Sequence, residues 1–184
     1  MNKKFLIVFF LLFCQLLLSS QALTKKEFIK AVQEADSYFY YEQDYEKAAF
    51  LYQPLVNAYP DNSNLAAKLG MCNLNIDGKK SDALRYLKVA IRNTARNDDE
   101  YTEIGESAPL DTYLYIAIAY QQNDSLEKAI SLFTEAKKRL AGYDVFSTEY
   151  INNQIKNCKY ALEVQKKPLN LQTDLLIPWL ADFP

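Results

Sequence analysis

Histidine is absent from this chain of 184 residues. Its absence removes the commonest general base, the commonest zinc ligand and every Ser–His or Cys–His nucleophile pair. Glycine is scarce, with four in the whole sequence, and none of them forms a phosphate-cradling loop. The carboxylates that could pair for acid–base chemistry, Glu42 with Asp44 and Asp98 with Glu103, fall in turn or loop contexts that stay wet. Nothing there raises a pKa as glycosidase-type catalysis requires. The acid-rich stretch within Asn93–Pro109 (Asp98, Asp99, Glu100, Glu103, Glu106) lacks the alternation and the glycine of a calcium loop and is expected to be a solvated loop. Lysines and arginines form no basic run, and the net charge is −2, so the footprint of a nucleic-acid binder is missing. No enzyme, no metal and no cofactor is expected.

Only one long apolar run exists, Phe5 to Leu18, and it falls short of the roughly 20 residues that a membrane-spanning helix needs. Lys3 and Lys4 precede it, and Ser20-Gln21-Ala22 follows with small residues at the positions a signal peptidase reads. Residues 1–22 therefore read as a secretory signal peptide cleaved after Ala22. Cys14 follows Phe13 rather than a small residue, so it reads as an apolar member of the signal and not as a lipid-attachment site. The expectation is an exported chain, in the periplasm or at the outer-membrane periphery, with no transmembrane segment after cleavage. Cleavage removes two lysines and no acid, moving the net charge from −2 to −4. About 160 residues remain, enough for one domain with a real core.

What the chain does have is a spaced pattern of large and tiny residues. Tyr113, Ile116, Ala117 and Tyr120 share one helix, and Ala129, Phe133 and Ala136 share the next. Small side chains let two helices approach, and large ones fill the space beside them. The order recurs upstream. Thr24-x-x-Glu27 is a capping box that opens a helix carrying Val32, Ala35, Asp36 and Phe39; Gln43-Asp44 turns the chain, and Tyr45, Ala48 and Tyr52 line the return helix. Phe39 to Ala48 spans nine residues, as does Tyr120 to Ala129. A middle unit is looser: Leu69-Gly70 fits, as do Ala83, Leu87 and Ala90, but Asn73 replaces the aromatic and the turn Ile76-Asp77-Gly78 carries one extra residue. Pro109 suits the first turn of the third unit, and Asp124-x-x-Glu127 suits the cap of its second helix. After Gly142 a further helix is predicted from Tyr150, Ile151, Ile155, Cys158 and Leu162.

These spacings resemble the tetratricopeptide repeat (TPR), whose period is about 34 residues. The resemblance implies an all-α fold: a right-handed superhelical solenoid of about three helical hairpins over residues 23–166, closed by a C-terminal capping helix. The register sets Cys72 and Cys158 in different layers, so two buried thiols are expected instead of a disulfide. Ala35-Asp36-Ser37-Tyr38-Phe39, Tyr45-Glu46-Lys47-Ala48, Lys68-Leu69-Gly70-Met71-Cys72, Ala108-Pro109-Leu110-Asp111 and Pro168-Leu169-Asn170 narrow the likeness. They resemble the N-terminal periplasmic TPR segment of OmpA-family envelope proteins of Bacteroidetes-type bacteria, some of them linked to type IX secretion. That resemblance implies a protein or peptide partner in the envelope. Contact with peptidoglycan or the outer membrane would belong to downstream domains, none of whose residues are present. Residues 167–184, apolar and without helical period, read as an extended tail or the start of such a domain.

In a stack of this kind the first helices line an inner, concave face. The partner-binding residues expected there are Lys30, Gln33, Ser37, Tyr40 and Tyr41 from unit one; Asn64, Ala67, Met71, Leu74 and Asn75 from unit two; and Asp111, Leu114, Ile118, Gln121 and Gln122 from unit three. Amides suit an extended peptide backbone, and Tyr and Met suit its side chains. Tyr40 and Tyr41 are the expected anchors. The competing arrangement has Leu74, Leu114 and Ile118 packed together or under residues 169–184. Most of the 14 tyrosines sit at packing positions, where they fill volume. The alternative function is a periplasmic glycan or small-ligand capture protein on the same scaffold.

Overall fold

The computed structural model describes residues 23–95, 105–142 and 148–166. Residues 1–22, read above as a signal peptide, the acids Asp98, Asp99, Glu100 and Glu103, and residues 167–184, read as a tail, lie outside the described residues. The described chain is an all-α helical-repeat solenoid. Its helices are α1 (Lys25–Ser37), α2 (Tyr45–Ala58), α3 (Ser63–Leu74), α4 (Lys80–Ala90), α5 (Thr112–Gln122), α6 (Leu126–Arg139) and α7 (Thr148–Lys166). Each packs on the next in sequence, and α3 also meets α5, so the first helices of successive hairpins are neighbours.

The helix ends follow from local chemistry. Thr24 Oγ1 accepts from the Glu27 N–H at 3.3 Å while the Glu27 carboxylate accepts from the Thr24 N–H at 2.9 Å, a complete capping box. The Thr24 hydroxyl, which donates to the Glu27 carboxylate at 2.7 Å, and then the Thr24 N–H hold that carboxyl below its ordinary pKa. Asp44 caps α2 and Asn62 caps α3 in the same way, at 3.0 and 2.9 Å. Between α1 and α2 the aromatic run Tyr38–Glu42 forms a single π-helical turn, closed by Gln43 at φ 54°. At the third hairpin the expected cap is not formed: Asp124 takes a left-handed φ of 54° and Ser125 becomes the residue before α6, with no side-chain cap bond. The tight turn uses Asp124 for its backbone conformation instead.

Pro109 also departs from expectation. It lies in a two-residue strand, β2 (Ala108–Pro109), paired parallel with β1 (Thr94–Ala95). The pairing anchors the end of the long connection, and the Glu106 carbonyl just before it accepts from the Ser63 and Asn64 N–H groups at 2.9 and 3.3 Å. The connection therefore caps α3, whose first N–H groups have no partner within the helix.

The core runs along the stack. Phe28, Val32, Ala35, Ala48, Tyr52, Leu55, Leu65, Leu69 and Cys72 join the first two hairpins. Leu114, Ala117, Ala129, Phe133, Ala136, Ile151 and Cys158 join the third hairpin to α7. Ala48, Ala83, Ala117, Ala129 and Ala136 are fully buried, as are Tyr52, Leu87 and Phe133, while Phe39, Tyr113 and Tyr120 are half-buried at the edges. Gly70 shows why a tiny residue is needed: a Cβ there would meet Leu87 Cγ at 2.6 Å. Cys72 and Cys158 are free and buried in different clusters. Asp36 differs from its assigned place among the packing residues. It is half-buried and its carboxylate accepts from Tyr52 Oη and from Lys68 Nζ.

Candidate functional site: the inner face of the first helices

From the N-cap of α5 the residues at successive turns are Asp111, Tyr115, Ile118 and Gln122; along α3 to its C-cap the same offsets give Asn64, Lys68, Met71 and Asn75. Four residues spaced by four, three and four form one stripe along a helix. All of them keep some exposure except Met71, which is 7% exposed. These stripes, with Lys30, Gln33, Ser37, Tyr40 and Tyr41 of the first unit, form the inner face.

Each junction between first helices is spanned by one pair. Asp36 and Lys68 bridge α1 to α3, with Nζ 2.6 and 2.8 Å from the two carboxylate oxygens. Met71 and Tyr115 share an apolar cluster with Ala67, Ala90 and Ala108, joining α3 to α5. Gln121 donates from Nε2 to Gln154 Oε1 at 3.2 Å, joining α5 to α7. The last helix thus occupies the position a fourth unit's first helix would take.

Three expected inner-face side chains are closed off. Leu114 is 1% exposed, in the cluster with Phe133, Ile151 and Cys158. Met71 and Ala67 are covered where α3 meets α5 and the β2 strand. Leu74 packs on the cluster of Leu87, Ile116 and Ala119, and Ile118 lies against the C-terminal core while staying half-buried. Ala67 and Leu114 share a physical reason: three residues beyond Asn64 or Asp111 the helix surface turns toward neighbouring helices, whose side chains cover it, whereas Met71 lies on the stripe itself and is covered by the α3–α5 contact.

Lys30, Gln33, Tyr40, Tyr41 and Asn75 are exposed, and Ser37, Asn64, Asp111, Gln121 and Gln122 are half-buried. Tyr41 is 85% and Tyr40 56% exposed, carried outward by the π-helical turn. Phe39 stacks edge-on with Tyr40 at 4.7 Å and with Tyr45 at 5.7 Å, so an aromatic group marks the open end of the first hairpin. Tyr115, absent from the residues expected on this face, is half-buried and belongs to it. Burial pushes its phenol up to about 12, with the charges of Asp111, Tyr150 and Tyr45 adding to the effect. Tyr115 packs on both the Met71, Ala90 and Ala108 cluster and the Leu87, Ile116 and Ala119 cluster, so it sits where the second and third hairpins meet. Its signal was available, since Tyr115 follows Asp111 by four and precedes Ile118 by three. Gln122 Oε1 is enclosed without a hydrogen-bond partner, as is Thr112 Oγ1 beneath the face. Such orphaned acceptors cost about 1–3 kcal/mol each. Among the described residues no cluster of acidic or cysteine side chains is arranged to hold a metal.

No protein-family model matches the chain, and no curated protein matches it. Solved structures do. The type III secretion translocator chaperone SycD of Yersinia enterocolitica matches with a TM-score of 0.60 at 17% identity, over 77% of this chain and 90% of that one. The first TPR of Spaghetti (RPAP3), bound to the HSP90 peptide SRMEEVD, matches with a TM-score of 0.52 at 17% identity, over 77% and 99%. The fold is therefore TPR-like.

Proposed function

We propose that this protein is a non-catalytic interaction scaffold that holds a peptide or protein partner along the inner face of its first helices. The observation that carries the reading is the inner face itself: amide, hydroxyl and aromatic groups from three successive hairpins, stitched into one surface by Asp36–Lys68, Met71–Tyr115 and Gln121–Gln154. Tyr40 and Tyr41 offer large, exposed, amphipathic anchors at one end, and Asn64, Asn75 and Gln122 can pair with an extended backbone. One structural neighbour carries a bound peptide and the other is a translocator chaperone. These likenesses support a binding role for the shared fold. The leader-like residues 1–22 and the likeness to OmpA-family TPR segments support an envelope setting, at the periplasm or outer-membrane periphery, within a secretion-associated or OmpA-like assembly.

The test is site-specific photocrosslinking in native cells. A photoreactive residue at Tyr41 or Asn75 is expected to yield a discrete protein adduct in the envelope fraction, and the same residue at the exposed Phe50 of α2 is not. Adducts of equal yield at all three positions, or none at the inner face, would remove the scaffold reading. Stabilisation by soluble sugars with no adduct would favour glycan capture instead.

A further inference from the structure

The last helix carries an uncovered stripe. On α5, Ile116 and Ala119 face back onto Leu87 of α4. Leu114, Ile118 and Gln121 face forward: the first two share a core with Ile151 and Cys158 of α7, and the third is bonded to Gln154. These forward residues stand two places before Ile116, two after it and two after Ala119. On α7, Ile155 and Cys158 face back, packed on the third hairpin. The same offsets from them give Asn153, Asn157 and Tyr160, and Val164 lies one turn further on. All four are exposed, Tyr160 at 68% and Val164 at 49%. Lys156 and Glu163 flank the stripe with opposite charges. It is the surface that a further layer of the stack would cover.

We propose that residues 168–184, which lie outside the described residues, fold back along this stripe and close the end of the solenoid. They follow α7 almost directly and are rich in large apolar side chains, Leu175, Leu176, Ile177, Trp179 and Leu180 among them, with only Asp174 and Asp182 charged. A segment of that composition suits a stripe whose flanking charges cancel. Fully extended it reaches roughly 55 Å, whereas Asn153 to Val164 spans about 16 Å of helix, so it can turn and cover the whole row. Tyr160 and Val164 would be withdrawn from water, as the end of a repeat stack requires. The Asn153 and Asn157 amides can pair with its backbone, and Pro168 and Pro178 bring no N–H that would go unpaired there. The inner face is the weaker seat for this segment. Leu74, Leu114 and Ile118 are already packed within the stack, and Tyr40 and Tyr41 belong to the first hairpin, at the opposite end from α7. Closure at α7 leaves the inner face open, so it stands whether or not a partner binds there.

Trp179 is the single tryptophan of the chain, so its fluorescence, excited beyond tyrosine absorption, reports on this segment alone. In the full chain its emission is expected to lie to the blue of the urea-unfolded protein and to resist acrylamide quenching. Tyr160→Ser/Val164→Ser should shift it to the red and raise the quenching, with helical circular dichroism unchanged because both side chains are exposed. If that double variant loses helix, Tyr160→Ser alone should still give the red shift. Tyr41→Ser should leave the emission where it was. A parent emission that already matches the unfolded chain would overturn the proposal, as would an emission unmoved by the α7 substitutions. A red shift from Tyr41→Ser in place of the α7 variants would move the segment to the inner face. Blue emission that is lost on dilution, together with a dimeric mass, would give the stripe to the same segment of a second copy and overturn closure within one chain.

Discussion

Lys68 Nζ lies 2.6 Å from Asp36 Oδ1, across the junction between the first two hairpins. The same carboxylate oxygen accepts the Tyr52 hydroxyl. One acid therefore ties α1, α2 and α3 together. With side chains 21% and 11% exposed, the pair is largely withdrawn from water.

Breaking this pair from one side should cost more than removing it whole. Asp36→Ala leaves a nearly buried ammonium and an unpaired phenol, an expected loss of roughly 2–4 kcal/mol. The double variant Asp36→Leu/Lys68→Met should recover most of that loss, because no uncompensated charge remains. Chemical denaturation of parent, single and double variants checks both signs. Equal stability of Asp36→Ala and the parent would mean the pair contributes nothing.

Gly70→Ala sets two effects against each other. A helix interior ordinarily gains about 0.5–1 kcal/mol from alanine in place of glycine. Here the added Cβ would stand 2.6 Å from Leu87 Cγ and 3.3 Å from the Leu87 backbone nitrogen. Leu87 is fully buried and cannot swing away. Overpacking should win, with a net destabilisation of about 1–3 kcal/mol read as a lowered midpoint. A higher midpoint would show that α3 and α4 separate easily.

Leu114 and Tyr115 should divide stability from binding. Leu114→Ala removes a core side chain that is 1% exposed and should cost about 2–5 kcal/mol. Tyr115→Phe keeps the volume and removes one hydroxyl, so its fold should survive while any partner hydrogen-bonded there loses affinity. Thermal melts beside crosslinking yields check this; a binding loss from Leu114→Ala at temperatures where it remains folded would return that residue to the open face.

The two thiols should be silent in the folded protein. Burial pushes Cys72 from its ordinary value of 9.0 up to about 12, and raises Cys158 in the same direction. A folded pKa above the unfolded one adds stability that is complete below pH 9 and is lost as pH climbs toward 12. Melting temperature should therefore fall across that window, less steeply in Cys72→Ala. Alkylation near pH 8 should modify neither thiol without unfolding; rapid labelling of Cys72 would contradict its burial.

Much of the architecture was legible in the residues. Ala48, Ala117, Ala129 and Ala136 announced where helices touch, and Thr24-x-x-Glu27 announced where the first one starts. The inner face was half legible. Lys30, Ser37, Tyr41, Asn64, Asn75, Asp111, Ile118 and Gln122 retain exposure, whereas Met71 and Leu114 went into the core and Tyr115, assigned to neither set, joined the face. Asp36 and Lys68 carried a signal in their opposite charges, 32 residues apart and close to one repeat period. Read as isolated helix positions, they gave no sign of it.

By itself the sequence determined the helical hairpins, the tight contacts at alanine and glycine, and the exclusion of histidine chemistry. These follow from side-chain size, capping geometry and composition, all properties of neighbours along the chain. Only the tertiary structure decided which edge of each first helix stays open, that one carboxylate holds three helices, and that α7 completes the inner row. Helical period says which residues share a stripe. It does not say how far the next hairpin reaches across that stripe, and that reach is set by packing between layers distant in sequence.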